Sequence, residues 1–415
     1  MAGPNRATGV KSNILRSPEL GLAFLTICLA MFPYSPKLIQ SSTQPWAALT
    51  MMMLLFTSLL ISFRTGRLPR STVWLLISVV LVFYIQVAKL FWYPLDLKLF
   101  AAYFISIGFV WVGFNFSRVL NIALLFWVSL IWVMAGLIQI IYPAAFEFLV
   151  AGQGLSYGRG LASLAPEPSF FALHMGTLFV LAQTLPSNGS SKIQRRVLGL
   201  FIIFGLVLSG GGTALVLGSV CLAIMLLREN SFSQKAGSSV VLILAVFIAL
   251  SAVELNFDRV NEILAMATNF SEASVDASLA TRFYHIGLSF QVFQNLSVLG
   301  FSSIEFSSGN IHQFGDIPTN IALLGAIGDP YTNGKLHSLL ARFLVDFGLV
   351  GLCLIIISVY ILFRKINNQR GFWYALMVVV LIAVLFTSSL PVGAGLFFFT
   401  VGSALSLGRK NEEVL

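Results

Sequence analysis

Apolar runs about as long as a bilayer is thick follow one another along almost the whole chain, and they leave the backbone few options. A membrane span takes roughly 20 mostly apolar residues, and scanning for runs of that length predicts about twelve helices. They fall at residues 20–39, 46–63, 72–92, 99–115, 119–142, 168–184, 197–210, 212–227, 238–254, 338–362, 372–389 and 392–407. With no water at that depth to take up peptide groups, each run must close its own hydrogen bonds as a helix. Composition agrees: 57% of the 415 residues are hydrophobic and 10% are charged, which defines an all-α polytopic membrane protein. The seventh and eighth runs are short and meet through Ser209-Gly210-Gly211-Gly212-Thr213.

The loops orient these spans. Lys and Arg are retained on the cytoplasmic side, and here they recur in every second segment: Arg6, Lys11 and Arg16, then Arg64, Arg67 and Arg70, then Arg118, then Lys192, Arg195 and Arg196, then Arg228 and Lys235, then Arg364, Lys365 and Arg370, and finally Arg409 and Lys410. That alternation predicts an even number of spans with both termini in the cytoplasm. It divides the chain into an N-terminal bundle at 1–253 (spans 1–9, with an outer loop at 143–167), a large extracytoplasmic loop at 254–337 between spans 9 and 10, and C-terminal helices with a cytoplasmic tail at 338–415.

Several function classes drop out. A net charge of +9 would suggest nucleic acid in a soluble protein, but these cations set topology, and no nucleic-acid partner is expected. The first span lacks the short apolar core and small-residue cleavage site of a removable leader and is expected to be an uncleaved anchor. Cys28, Cys221 and Cys353 lie in predicted spans, where they serve as small apolar packing residues and not as a disulfide framework. Secondary transporters usually show repeated halves and interrupted helices with midplane sites. Here no repeat is evident, and the unusual residues sit in outer loops.

Two polar tracts carry the chemistry. The first runs Gly158-Arg159-Gly160-Leu161-Ala162-Ser163-Leu164-Ala165-Pro166-Glu167-Pro168-Ser169-Phe170-Phe171. Arginine between glycines lets backbone approach an anion, and Pro166 and Pro168 set Glu167 just before a helix start, near the positive end of its dipole. The ordinary reading is a capping carboxylate and a solvated arginine. The second tract, Glu254 to Lys335, is acidic and holds only Arg259, Arg282 and Lys335 as bases. Arg282 lies in the aromatic run Ala280-Thr281-Arg282-Phe283-Tyr284-His285-Ile286, which as a helix at the membrane surface would present a guanidinium to a lipid phosphate.

His337 ends this loop, just ahead of Ser338, Arg342 and Asp346; a histidine there more often bonds structurally than catalyses. Arg342 and Asp346, four apart on one helix face, suggest an internal ion pair shielded from lipid. His174 lies within the sixth span and is a modest functional candidate. His285 and His312 have no metal-ligand spacing, and the chain has neither an Asp-x-Asp pair nor a Walker loop, so no metal and no cofactor is expected.

The order of Arg282, Leu299-Gly300-Phe301, His337, Leu340, Gly348 and Gly351 resembles the large-loop region of the bacterial O-antigen polymerase and O-antigen ligase superfamily. Arg159 with Glu167-Pro168-Ser169 resembles its polymerase branch. The likeness runs from about Gly158 to Gly351 through short, degenerate motifs. Two departures stand out: many members carry Asn where this chain has Ser338, and ligase-like members carry Ser-Arg-Gly where it reads Ser209-Gly210-Gly211.

The resemblance implies a GT-C-like, metal-independent glycosyltransferase of the bacterial inner membrane, with the large loop in the periplasm. Its donor would be an undecaprenyl-pyrophosphate-linked oligosaccharide within the bilayer, with a chain-length regulator as an optional partner. Arg159 and Arg282 would hold the pyrophosphate, His337 or Glu167 would take the acceptor's proton, and Arg342, Tyr284 and His312 are candidate supporting residues. A polysaccharide repeat-unit polymerase is the leading expectation, a ligase onto lipid A core or protein the runner-up. A flippase or exporter of lipid-linked sugar, forming no bond, is the alternative from another class.

Overall fold

The computed structural model describes residues 18–37, 44–66, 68–89, 97–143, 146, 149–150, 160–185, 192–210, 214, 217–222, 338–367, 380–381, 384 and 394–406. Every regular element among them is helical: α1 (Pro18–Ala30), α2 (Trp46–Thr65), α3 (Arg70–Lys89), α4 (Leu97–Phe116), α5 (Ile122–Ile141), α6 (Pro168–Thr184), α7 (Lys192–Ser209), α8 (Leu339–Asn367) and α9 (Gly395–Leu405). Five helices among the described residues are long and apolar enough to cross a membrane. The eighth, ninth and eleventh expected spans and the 254–337 loop fall wholly or mostly outside the described residues.

Local chemistry sets the ends. Asn121 caps α5, accepting the Leu124 N–H at 2.7 Å. Gly66 closes α2 in a left-handed conformation with its N–H returned to the Phe63 carbonyl. The first expected span, 20–39, is helical only to Ala30; Pro33 and Pro36 follow at once, and neither can supply the N–H that further turns require.

α6 is buried around its whole circumference, as expected of a helix apolar on every face. α2 and α3 instead leave Met53, Phe56, Phe63, Trp74, Val80 and Tyr84 uncovered, a run of apolar surface that suits lipid and not water. At the centre α9 packs most extensively on α4 and then on α6. A Cβ added to Gly113 would lie 2.0 Å from the Phe399 carbonyl oxygen, and one added to Gly402 would lie 2.0 Å from that of Val110. The two backbones therefore touch, the small-residue contact by which helices associate when lipid removes the hydrophobic incentive.

Direction follows from the contacts. Phe109 meets Gly395 while Ser117 bonds Ser406 at 3.2 Å, so α4 and α9 run parallel. Thr184 bonds Ser403 at 3.0 Å, which makes α6 parallel to both. Tyr103, near the start of α4, bonds Asp346, near the start of α8, so these two also begin together. Four central helices thus point their N-termini at one face. The opposite face collects arginines: Arg118 follows α4, Ser71 bonds Asn115 to bring the Arg70 end of α3 there, Arg195 reaches the Leu185 carbonyl beyond α6, and Arg364 lies near the end of α8.

Because the clash at Gly402 is with backbone, it cannot be relieved by a rotamer change. Gly402→Ala is expected to destabilise the purified protein by about 1–3 kcal/mol, the usual cost of overpacking. A thiol-reactive melting assay in detergent would measure it; an unchanged melting temperature would show that α4 and α9 can part freely.

Candidate functional site

From Gly160 to Pro166 the first polar tract is an irregular, largely buried loop wedged between α5, α6 and α7. Ala162, Ser163, Leu164 and Ala165 are all buried. Non-helical backbone is tolerated among membrane helices only if its polar groups are satisfied within the protein. Gln139, near the end of α5, meets that demand: its Oε1 accepts the N–H of Ala162 at 3.1 Å and of Ser163 at 2.8 Å. The Ser163 hydroxyl donates to the Trp132 carbonyl, the Leu161 N–H reaches the Leu208 carbonyl at 3.2 Å, and the Ala165 N–H turns back to Ala162 at 3.0 Å. Ser163 holds a φ of 55°, in the left-handed region that non-glycine residues rarely occupy, and its two side contacts keep it there.

Gly160 has a φ of +91°, and a Cβ on it would sit 2.1 Å from the Ser209 carbonyl oxygen. The loop that starts at Gly160 is therefore seated on the Ser209–Gly210 junction at the end of α7. The sequence separates these two motifs by some forty residues and offers no sign that they meet. Gln139 was likewise missed: an isolated glutamine in an apolar run carries no signature, and its one clue is that an uncharged amide in a span needs a partner.

From this buried seat the chain emerges at Glu167, which is exposed between buried Pro166 and Pro168. Glu167 is the N-cap residue of α6, with Pro168 at the first helical position, as the sequence predicts. Its carboxylate makes no capping bond to the helix; Ser169 Oγ lies 3.5 Å from Oε2. The glutamate is thus held at the positive end of a buried helix with its oxygens largely uncommitted to the backbone.

Two turns deeper, His174 is buried with its ring 4.0 Å from that of Trp132 and nearly parallel to it. Phe32, Phe171 and Tyr34 pack around the same indole, whose Nε1 donates to the Met31 carbonyl at 3.0 Å. His174 Nε2 has no hydrogen-bond partner among the described residues. This histidine belongs to the aromatic core and does not reach the face that carries Glu167.

At the head of α8, Ser338 is the capping residue: its Oγ accepts the Ala341 N–H at 3.3 Å, and its carbonyl accepts the Arg342 N–H at 3.1 Å. Serine and asparagine cap helices about equally well, so the departure from the family's Asn preserves the helix start. Asp346 is fully buried and takes the Tyr103 hydroxyl at 2.6 Å, a partner from another helix; Arg342, four residues earlier, is half-buried. Gly348, with φ 52° and ψ −134°, kinks α8 one turn below Arg342–Phe343, and a Cβ on Gly351 would lie 2.5 Å from the Phe343 carbonyl oxygen. Two glycines of the family pattern therefore serve this kink. Arg159, Arg282, Tyr284, His312 and His337 lie outside the described residues.

Residues 197–356 match a family model described as O-antigen ligase, a match consistent with the O-antigen polymerase and ligase superfamily that the motifs resemble. No curated protein and no solved structure matches the chain. The match begins within α7 and ends within α8, so the Gly160–Glu167 loop lies outside it yet is packed directly onto it at Ser209.

Replacing Gln139 with Leu would strand two buried N–H groups, each costing about 1–3 kcal/mol. Gln139→Leu is expected to lower the melting temperature markedly and Gln139→Glu, which keeps an acceptor, to do so less. Equal stability of Gln139→Leu and wild type would show that the loop does not depend on this amide.

Proposed function

We propose that the protein is a polysaccharide repeat-unit polymerase acting on the outer face of the inner membrane, on glycans carried by undecaprenyl pyrophosphate. The observation that most supports this is the exposed Glu167 at the head of α6, set by a buried loop that Gln139 holds, on the face where four parallel helices direct their N-termini. Helix N-termini carry partial positive charge, which favours an anionic group and its carboxylate or phosphate oxygens on that face.

In this reading an acceptor hydroxyl attacks the anomeric carbon of the donor glycan, the bond from that carbon to the pyrophosphate oxygen breaks, and the lipid pyrophosphate leaves with the electron pair. Arg159 and Arg282 stabilise the charge that builds on the leaving group; a preorganised guanidinium supplies two parallel hydrogen bonds where water is scarce. The hydroxyl proton passes to His337 or Glu167. The ligase reading, transfer of the glycan to lipid A core or a protein, is favoured by the description of the matched family and uses the same chemistry with another acceptor. Deleting the gene separates them on a gel of surface glycan: a polymerase mutant keeps a single capped repeat, a ligase mutant loses all attached repeats. Chain extension by purified protein in detergent, where there is nothing to cross, rules out a flippase.

Arg282→Ala is expected to abolish polymer formation with expression and insertion intact, and Arg282→Lys to restore it in part, because lysine keeps charge without the two-pronged geometry. Full activity of Arg282→Ala would remove this residue from the mechanism. His337→Ala should lower turnover by about 10²–10⁴-fold with donor binding near wild type if His337 is the base. Glu167→Gln, retaining shape at the helix start, should then be milder; the opposite ranking assigns proton removal to Glu167.

A further inference from the structure

The kink at Gly348 divides α8 into two helical pieces of different character. The head, residues 339–347, is buried apart from half-buried Arg342 and Phe343. Beyond the kink Leu349, Leu354, Ile356, Ile357 and Tyr360 are exposed, as suits a helix that faces lipid. Ser338 caps the head at one end, and at the other the backbone of Gly348 leaves the helical conformation. A short unit joined to the rest of its helix through glycine can pivot there unless something else holds it.

What holds it is α4. Phe343, Asp346 and Phe347 are three and four residues apart, on one side of the head, and they converge on Tyr103. The Tyr103 ring lies 5.5 Å from that of Phe343 and 4.5 Å from that of Phe347, and its hydroxyl donates to Asp346 Oδ2 at 2.6 Å, with both residues buried. The grip is local. Further along, an apolar groove of about 310 Å³ opens between the two helices, lined by Ser106, Ile107 and Val110 of α4 and by Gly351, Leu354 and Ile355 of α8. Close packing along the helices therefore does not set their relation, and the Tyr103 side chain does. Because a buried polar group without its partner costs more than the bond itself returns, any slide of the head that parts Asp346 from the hydroxyl is penalised.

α4 is packed in turn on α9, and α9 on α6, the helix that starts at Glu167. We propose that Tyr103 and Asp346 are positioning residues of the transfer reaction. Their bond fixes the head of α8, and with it the chain that enters at Ser338 directly after His337, against the scaffold that carries Glu167. The inference rests on the glycan-transfer reading above, in which His337 and Glu167 are the two candidates for proton removal. Tyr103 and Asp346 act only through the segment they hold.

The test uses the full-length protein in detergent and lipid-linked repeats extracted from cells lacking the gene, with kcat, KM and melting temperature measured for each variant. Tyr103→Phe keeps the ring and loses the donor; kcat is expected to fall about tenfold with KM within about twofold of wild type. Asp346→Asn, whose amide oxygen still accepts the hydroxyl, should lose less than about threefold. Tyr103→Phe strands a buried carboxyl group, so lost stability alone would lower its activity. The double variant Tyr103→Phe/Asp346→Leu removes both partners together and should melt near wild type while kcat stays about tenfold down. Hydrogen exchange over residues 339–347 should quicken in the double variant and not in Asp346→Asn. Wild-type kcat in the double variant, a change confined to KM, or Asp346→Asn as slow as Tyr103→Phe would overturn the inference. If the double variant melts early, Tyr103→Phe and Asp346→Asn, compared at a temperature where both are folded, decide it. Wild-type protein that transfers no glycan from the extracted repeats overturns the glycan-transfer reading and this inference with it; transfer at full rate by the double variant overturns this inference alone.

Discussion

Peptide groups inside a bilayer have no water to turn to, and the arrangement of the face that carries Glu167 follows from that constraint. Helices satisfy it by themselves, but the stretch from Gly160 to Pro166 is not helical and is buried. Gln139, the Trp132 carbonyl and the end of α7 answer its Leu161, Ala162 and Ser163 N–H groups and the Ser163 hydroxyl. That set of bonds fixes where α6 begins, and so where Glu167 emerges.

The scaffold behind it depends on close backbone contact. Gly113 and Gly402 let α4 and α9 approach until no side chain separates them, and α6 packs on the same helix α9. Since lipid is as apolar as leucine, such contacts hold by dispersion and shape, not by exclusion of water. The aromatic cluster around Trp132 closes the other side, tying the turn after α1 to α5 and α6 through the Met31 carbonyl. Parallel α4, α6, α8 and α9 are the outcome, and their common direction makes one face distinct from the other.

The matched family region and the Glu167 loop are joined physically at Gly160 and Ser209. Motifs brought together this way need not be neighbours in the chain. The same holds at the head of α8, where Ser338 starts the helix and Asp346 draws in Tyr103 from α4, a residue 243 positions away.

The sequence by itself determined the helical class, the approximate extents of the described spans and the helix start at Pro168, because all three follow from local quantities: run length, charge placement and the missing N–H of proline. It also singled out Glu167, Gly348 and Gly351. It did not reveal Gln139 as the anchor of the polar loop, the seating of Gly160 on Ser209, the pairing of Asp346 with Tyr103, or the groove beside α8. Those depend on which helix faces meet and at what depth, and in a lipid solvent hydrophobic periodicity says little about that: every face is apolar, so packing shape and the need to pair each buried polar group make the choice.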